Sequence, residues 1–164
     1  MDRKREERRD ETCEVFTPQE TVRMMLNKLP DEMFAPEKTF LDNSCGNGNM
    51  LVEVLMMKLE KAPKDQQVRE IPLSEGNKLG HKIMLPYIKA CVESLYGTDM
   101  MEDNVEECKK RILDIYMDHV EGTLGLGVLF TLDDLKKTLD DHIVCTKMEE
   151  WDYEKWCPVC EKLF

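Results

Sequence analysis

Thr39-Phe40-Leu41-Asp42-Asn43-Ser44-Cys45-Gly46-Asn47-Gly48-Asn49-Met50 is the stretch whose reading decides the fold. Residues 39–42 are apolar and β-prone and run straight into a glycine turn, which predicts a short strand. From residue 50 to 59 the pattern changes period, with Leu51, Val54 and Leu55 returning at helical spacing. A sharp turn from strand to helix lets a ligand approach the main chain, because Gly46 and Gly48 carry no Cβ and accept positive φ. The same two glycines also suit an ordinary tight turn.

Upstream, Thr17-Pro18-Gln19-Glu20 has the pattern of a capping box with Pro18 at the first helical position, followed by Val22, Met25, Leu26 and Leu29. This predicts a helix over 18–29, closed by a loop over 30–38. Downstream, residues 61–82 are polar and contain Pro63, Pro72, Gly76 and Gly80, the composition of an exposed, mobile insertion. A helix is expected over 83–92, with Pro86 in its first turn or at a kink. A second buried strand is expected over 94–100, ending in an acidic residue.

Residues 102–117 form the clearest amphipathic segment, with Val105, Cys108, Ile112 and Tyr116 on one stripe. Glu106, Glu107, Lys109, Lys110 and Arg111 fall largely outside that stripe. Gly122, Gly125 and Gly127 should break the helix, Thr131 should cap a further short one carrying Leu132, Leu135 and Leu139, and residues 142–146 read as a third strand. Strands alternating with helices predict an α/β fold, a partial doubly wound parallel sheet of about three strands with flanking helices. The expected organisation is a charged flexible terminus over 1–12, an α/β domain over 13–156 and a tail over 157–164.

Asp99 ends the second strand, where a carboxylate can accept hydrogen bonds from both hydroxyls of a ribose, and Met100 or Met101 beside it could pack on an adenine ring. Asp99 equally suits the cap of the helix that follows.

With 164 residues, 41% of them hydrophobic, the chain is long enough for one core. No apolar run approaches the roughly 20 residues of a bilayer crossing, so no membrane contact is expected and the chain reads as cytosolic. Seven cysteines, an odd number, point to reduced and mostly buried thiols. The net charge of -11, from 34 acidic and 23 basic residues, does not favour duplex DNA. DNA contact would need a partner or a local patch such as the basic run between Arg3 and Arg9, which by itself reads as a solvated terminus.

His142, Cys145, Cys157 and Cys160 could in principle form a zinc set. In a strand, however, residues three apart face opposite sides, so His142 and Cys145 should not share an ion, and no metal site is expected. A redox role for Cys157 and Cys160 is a further alternative to plain thiols. Trp151, Tyr153 and Trp156 are spaced to pack as an aromatic lid, with base stacking as the other reading. His81 and His119 have no acid or base partner nearby in sequence.

Three phrases carry a resemblance: Glu14-Val15-Phe16-Thr17-Pro18, the stretch from Thr39 to Leu51, and Tyr96-Gly97-Thr98-Asp99-Met100-Met101-Glu102-Asp103-Asn104. They look like successive motifs of the S-adenosylmethionine-dependent N6-adenine DNA methyltransferases, and are especially similar to short methylase-like proteins of bacteriophages. The similarity spans roughly residues 14–113, with a fainter echo over 143–153. It implies a Rossmann-like methyltransferase sheet with S-adenosylmethionine as cofactor. Phe16, Thr17 and Pro18 would meet the methionine end. Asp42, Cys45, Gly46 and Gly48 would wrap the cofactor, and Asp99, with Met100 beside it, would hold the ribose and adenine.

The chain departs from that pattern in three places. Asn43 stands where the family has proline, and Lys147 stands where it tends to place an acidic residue. The catalytic Asn/Asp-Pro-Pro-aromatic tetrapeptide, which grips a flipped adenine, occurs nowhere in the 164 residues, so no catalytic residue is identified. The resemblance thus implies a DNA adenine methyltransferase-like protein, phage-encoded and acting in the host cytoplasm, and incomplete for catalysis on its own. The alternative is a non-catalytic regulator or antirestriction factor that uses the scaffold to bind a host protein. Lacking the strand that carries the tetrapeptide, residues 39–42 should form an open edge covered by a second copy, a protein partner or the chain's own tail.

Overall fold

The computed structural model describes residues 15–68, 82, 83, 85–120, 126–147 and 150. The basic run near the N-terminus, the expected mobility of residues 69–81, the aromatic triplet and the Cys157/Cys160 pair lie outside the described residues. Among the described residues no helix is long and apolar enough to cross a membrane.

The elements in chain order are α1 (Gln19–Leu26), β1 (Phe40–Asp42), α2 (Asn49–Glu60), β2 (Gln67–Val68), β3 (Lys82–Ile83), α3 (Leu85–Glu93), β4 (Leu95–Asp99), α4 (Glu102–Val120), α5 (Leu126–His142) and β5 (Ile143–Cys145). Short 3-10 turns occupy Asp31–Phe34 and Lys64–Gln66. The main sheet is parallel with order β1-β4-β5. Phe40 is opposite Leu95 and Asp42 opposite Gly97, while Gly97 is opposite Ile143 and Asp99 opposite Cys145. This is the expected α/β architecture, a small parallel sheet with flanking helices and half of a doubly wound topology.

β4 is central, and Leu95 to Thr98 are buried, as a parallel strand covered on both faces requires. Side chains alternate across it. On the Gly97 face, a Cβ would lie 3.0 Å from Leu51 Cδ1 and 3.1 Å from Cys45 Sγ, so α2 and the loop before it press directly on the strand. On the opposite face the Tyr96 ring stacks on His142 with centroids 4.0 Å apart. The predicted stripe of α4 is the buried one: Val105, Cys108, Ile112 and Tyr116 join Leu51, Val54, Leu55, Ile88, Leu95, Leu135, Leu139 and Ile143 in one core.

Lys58 is also fully buried in that core. Its Nζ donates to the carbonyls of Ala35 (3.0 Å), Pro36 (3.3 Å) and Lys38 (2.6 Å) and to Ser94 Oγ (2.8 Å). Burial pushes this ammonium down to about 8, and the ring of carbonyls supplies the acceptors that water no longer can. The contact staples the turn before β1 to α2 and to the entrance of β4. At the other end of the helix pair, Arg23 of α1 pairs with Glu53 (2.6 Å) and Glu60 of α2, and Gln19 donates to Glu53 at 2.9 Å.

Several boundaries differ from the sequence reading. Pro18 is the N-cap of α1 with extended ψ of 144, and no side-chain cap bond forms, so the Thr17–Glu20 capping box is absent. The Thr17 carbonyl instead accepts from Asn49 Nδ2 at 2.8 Å, a contact across 32 residues that holds the segment out of the helix. Thr131 lies inside α5, which begins five residues earlier and includes Gly127. His142 ends α5 and does not begin a strand. Ile83 pairs with Gln67 in a small antiparallel ladder that brings the two ends of the polar insertion together, and the following helix starts at Leu85.

Candidate functional site

A cleft of about 380 Å³ opens at the carboxyl ends of β1 and β4, where α2 begins. This is where open parallel sheets bind ligands, because two strands end there and their connections diverge. Of the residues expected from sequence, Phe16, Thr17, Asp42, Cys45, Gly46, Asp99 and Met100 all line it. Asn47, Asn49, Met50 and Met101 complete much of the wall. Pro18 and Gly48 do not line it.

The wall is shaped by main-chain hydrogen bonds. Cys45 N–H donates to the Thr98 carbonyl (2.9 Å) and Gly48 N–H to the Cys45 carbonyl (2.8 Å), which closes the turn against β4. The buried Thr98 hydroxyl donates to the Asn43 carbonyl at 2.8 Å. Gly46 has φ +51, and a Cβ there would meet the Phe16 ring at 3.0 Å, so the ring lies on bare backbone. Gly48 has φ +86, and a Cβ would sit 2.4 Å from Cys108 Sγ. Gly48 therefore serves helix packing: its missing side chain lets α4 close on the loop.

Two carboxylates face the cleft. Asp99 Oδ2 accepts from Gly46 N–H at 3.0 Å, and its Oδ1 accepts from Met101 N–H at 2.9 Å and from Asn104 Nδ2 at 3.3 Å. The residue thus closes an Asx turn into α4 and ties β4 to the glycine loop. Each oxygen has more than one lone pair, so Oδ2 keeps room for a ligand donor. Asp42 Oδ1 accepts from Ser44 N–H at 3.2 Å. Burial holds the Asp42 carboxyl above its ordinary range, the Ser44 amide counteracts this, and the charge of Asp99 adds to the rise. The Cys45 thiol is held up by its hydrogen bond with the Cys108 thiol and by burial, which favours its neutral form.

Among the described residues, no lysine, arginine or histidine lines the cleft. The positive pole at this cleft is instead the start of α2, whose first amides have no partner within the helix. Acceptors on one side and helix-start amides on the other suit a ligand with both a donor-rich part and a carboxylate. The exposed Met100 and the half-buried Phe16 offer apolar surface for a flat ring.

Sequence reading missed the clasp from α4. Arg111, placed outside the buried stripe by its spacing, donates through Nη1 to the Asn47 carbonyl (2.7 Å) and Asn49 Oδ1 (2.8 Å). Its spacing carries no signal for this contact, which depends on where α4 meets the glycine loop. Lys147 is exposed, pairs with Glu150 at 3.7 Å and does not line the cleft. His142 and Cys145 diverge, the first stacked on Tyr96 and the second directing Sγ to the Met100 carbonyl at 3.5 Å. Among the described residues no group of three or more potential metal ligands converges.

No family model, no curated protein and no solved structure matches the chain.

Proposed function

We propose that the chain is an S-adenosylmethionine-binding domain of the DNA adenine methyltransferase type. The observation that carries this reading is the shared cleft. Three separate sequence phrases that resemble the methyltransferase motifs contribute Phe16, Asp42, Gly46 and Asp99 to one wall. The charge pattern supports the same ligand: the two carboxylates favour a cationic, hydroxyl-bearing nucleoside, and the start of α2 suits a carboxylate. Calorimetric titration with S-adenosylmethionine and S-adenosylhomocysteine tests it, and the absence of binding at millimolar concentration would refute it.

Two specific observations favour a second reading, a regulator that binds a protein through the methyltransferase scaffold. The catalytic tetrapeptide does not occur in these residues, and the net charge of -11 opposes contact with DNA. Under this reading, labelled methyl groups are not transferred to DNA even when the cofactor binds. Transfer to unmethylated DNA would decide for the enzyme. For either reading we propose that β1, at the rim of the sheet, is covered by a second copy, a partner chain or the chain's own tail.

A further inference from the structure

A second groove, of about 470 Å³, lies between α4 and α5. Its α4 wall extends from Glu106 to Met117, about 17 Å of helix, which is long enough to seat another helix. Leu113 and Leu132 pack on the core and also line this groove, and Met117 beside them is 37% exposed. Lys109 fixes the spacing of the walls: its Nζ meets Asp140 of α5 at 2.8 Å and Glu106 of α4 at 3.1 Å.

The charges around the groove show what it can receive. Among the described residues its rim has three bases, Lys109, Lys110 and Lys136, and three acids, Glu106, Asp114 and Asp140. The whole chain carries -11, so two copies repel each other across most of their surface. A rim with equal numbers of each sign is free of that repulsion. Lys110 and Asp114 stand one turn apart on α4, both exposed, and neither is in an ion pair with a described residue.

We infer that the α4–α5 groove is the interface of a two-fold dimer, in which α4 of a second copy lies antiparallel in the groove of the first. In such a contact residue i meets j and j meets i. With the axis midway between Lys110 and Asp114, each lysine faces Asp114 of the other copy, and Leu113 and Met117 of both copies cover the apolar floor. Two helices from each chain then form a bundle, with the opposite charges setting its register. This face is separate from the sheet rim at β1, and the inference does not depend on what the cleft binds.

Sedimentation of the full chain over a range of concentrations tests it, in the wild type, Met117→Glu, Lys110→Glu and the charge swap Lys110→Glu with Asp114→Lys. Each variant is first shown to be folded, and Asp114→Lys alone replaces either single variant that is not. The wild type is expected to dimerise, with a dissociation constant at least about tenfold weaker in each single variant, the scale of one lost interface contact. The swap rebuilds both cross-copy pairs with their signs reversed and should recover most of that loss, the non-additivity of residues in contact. A wild type that stays monomeric at its highest soluble concentration would overturn the inference, even if another protein occupied the groove. So would a dimer indifferent to the single variants, which places the second copy elsewhere, or a swap as weak as Lys110→Glu.

Discussion

The main-chain amide of Gly46 donates to Asp99 Oδ2 at 3.0 Å, so the loop that leaves β1 is tied to the last residue of β4 across 53 positions of sequence. The same carboxylate receives Met101 N–H and Asn104 Nδ2 at the start of α4. One side chain therefore holds the cleft wall, the strand end and the next helix together. Asp99→Ala leaves all three donors without this acceptor. Its expected cost is about 2 kcal/mol, the sum of a lost turn and a lost loop tie, measured by chemical denaturation. A loss under a few tenths would show that the carboxylate holds nothing.

Gly48 makes a different demand. With φ +86 and a Cβ position 2.4 Å from Cys108 Sγ and 3.2 Å from Cys108 Cα, Gly48→Ala must strain its backbone and push α4 away. The expected loss is about 3 kcal/mol, from left-handed strain plus overpacking. Cys108→Ala in the same chain removes the sulfur and should recover part of it, a non-additivity that a double-mutant cycle reads directly. Strict additivity would place the two residues out of contact.

Lys58 is the third point of stress. In Lys58→Met the apolar stem remains, but the carbonyls of Ala35 and Lys38 lose their buried donor. Unpaired buried carbonyls should cost about 2 kcal/mol in denaturant unfolding, while cleft binding stays near wild type because Lys58 does not line it. A stable variant with the segment before β1 unchanged would contradict the staple.

At the sheet rim, Phe40 N–H donates to the Ser94 carbonyl, so by alternation along the strand Leu41 N–H faces away from β4. If the rim is covered in solution, the Leu41 amide exchanges slowly with deuterium and light scattering or the chain's own tail accounts for the cover. A monomer whose Leu41 amide exchanges at the rate of an open chain would refute the covered edge.

Much of this architecture was legible from sequence, for identifiable reasons. The stripe of Val105, Cys108, Ile112 and Tyr116 gave α4 because a helix with one buried face repeats its apolar residues. The glycine turn and Asp99 marked the cleft because strand ends in parallel sheets are where loops meet ligands. What failed depended on distant partners. The capping box at Thr17 was a sound local signal, overruled by Asn49 from the start of α2. Thr131 looked like a cap, but α5 packs against α3 and α4 and runs through it. Lys58 lies one turn beyond Val54 and Leu55, and its burial depends on the carbonyls of Ala35, Pro36 and Lys38, which no local pattern brings to it. The clasp from Arg111 depends on where α4 lies, which no local pattern contains.

Binding of S-adenosylmethionine in the cleft between Asp42 and Asp99 is what we propose for this chain. Its most direct test is calorimetric titration of the wild type, Asp42→Ala and Asp99→Ala, each first shown to be folded. Saturable binding by the wild type is expected, with a loss of at least about tenfold in each variant, since each removes one ligand acceptor. No binding by the wild type at millimolar ligand, or equal affinity in all three proteins, would contradict it.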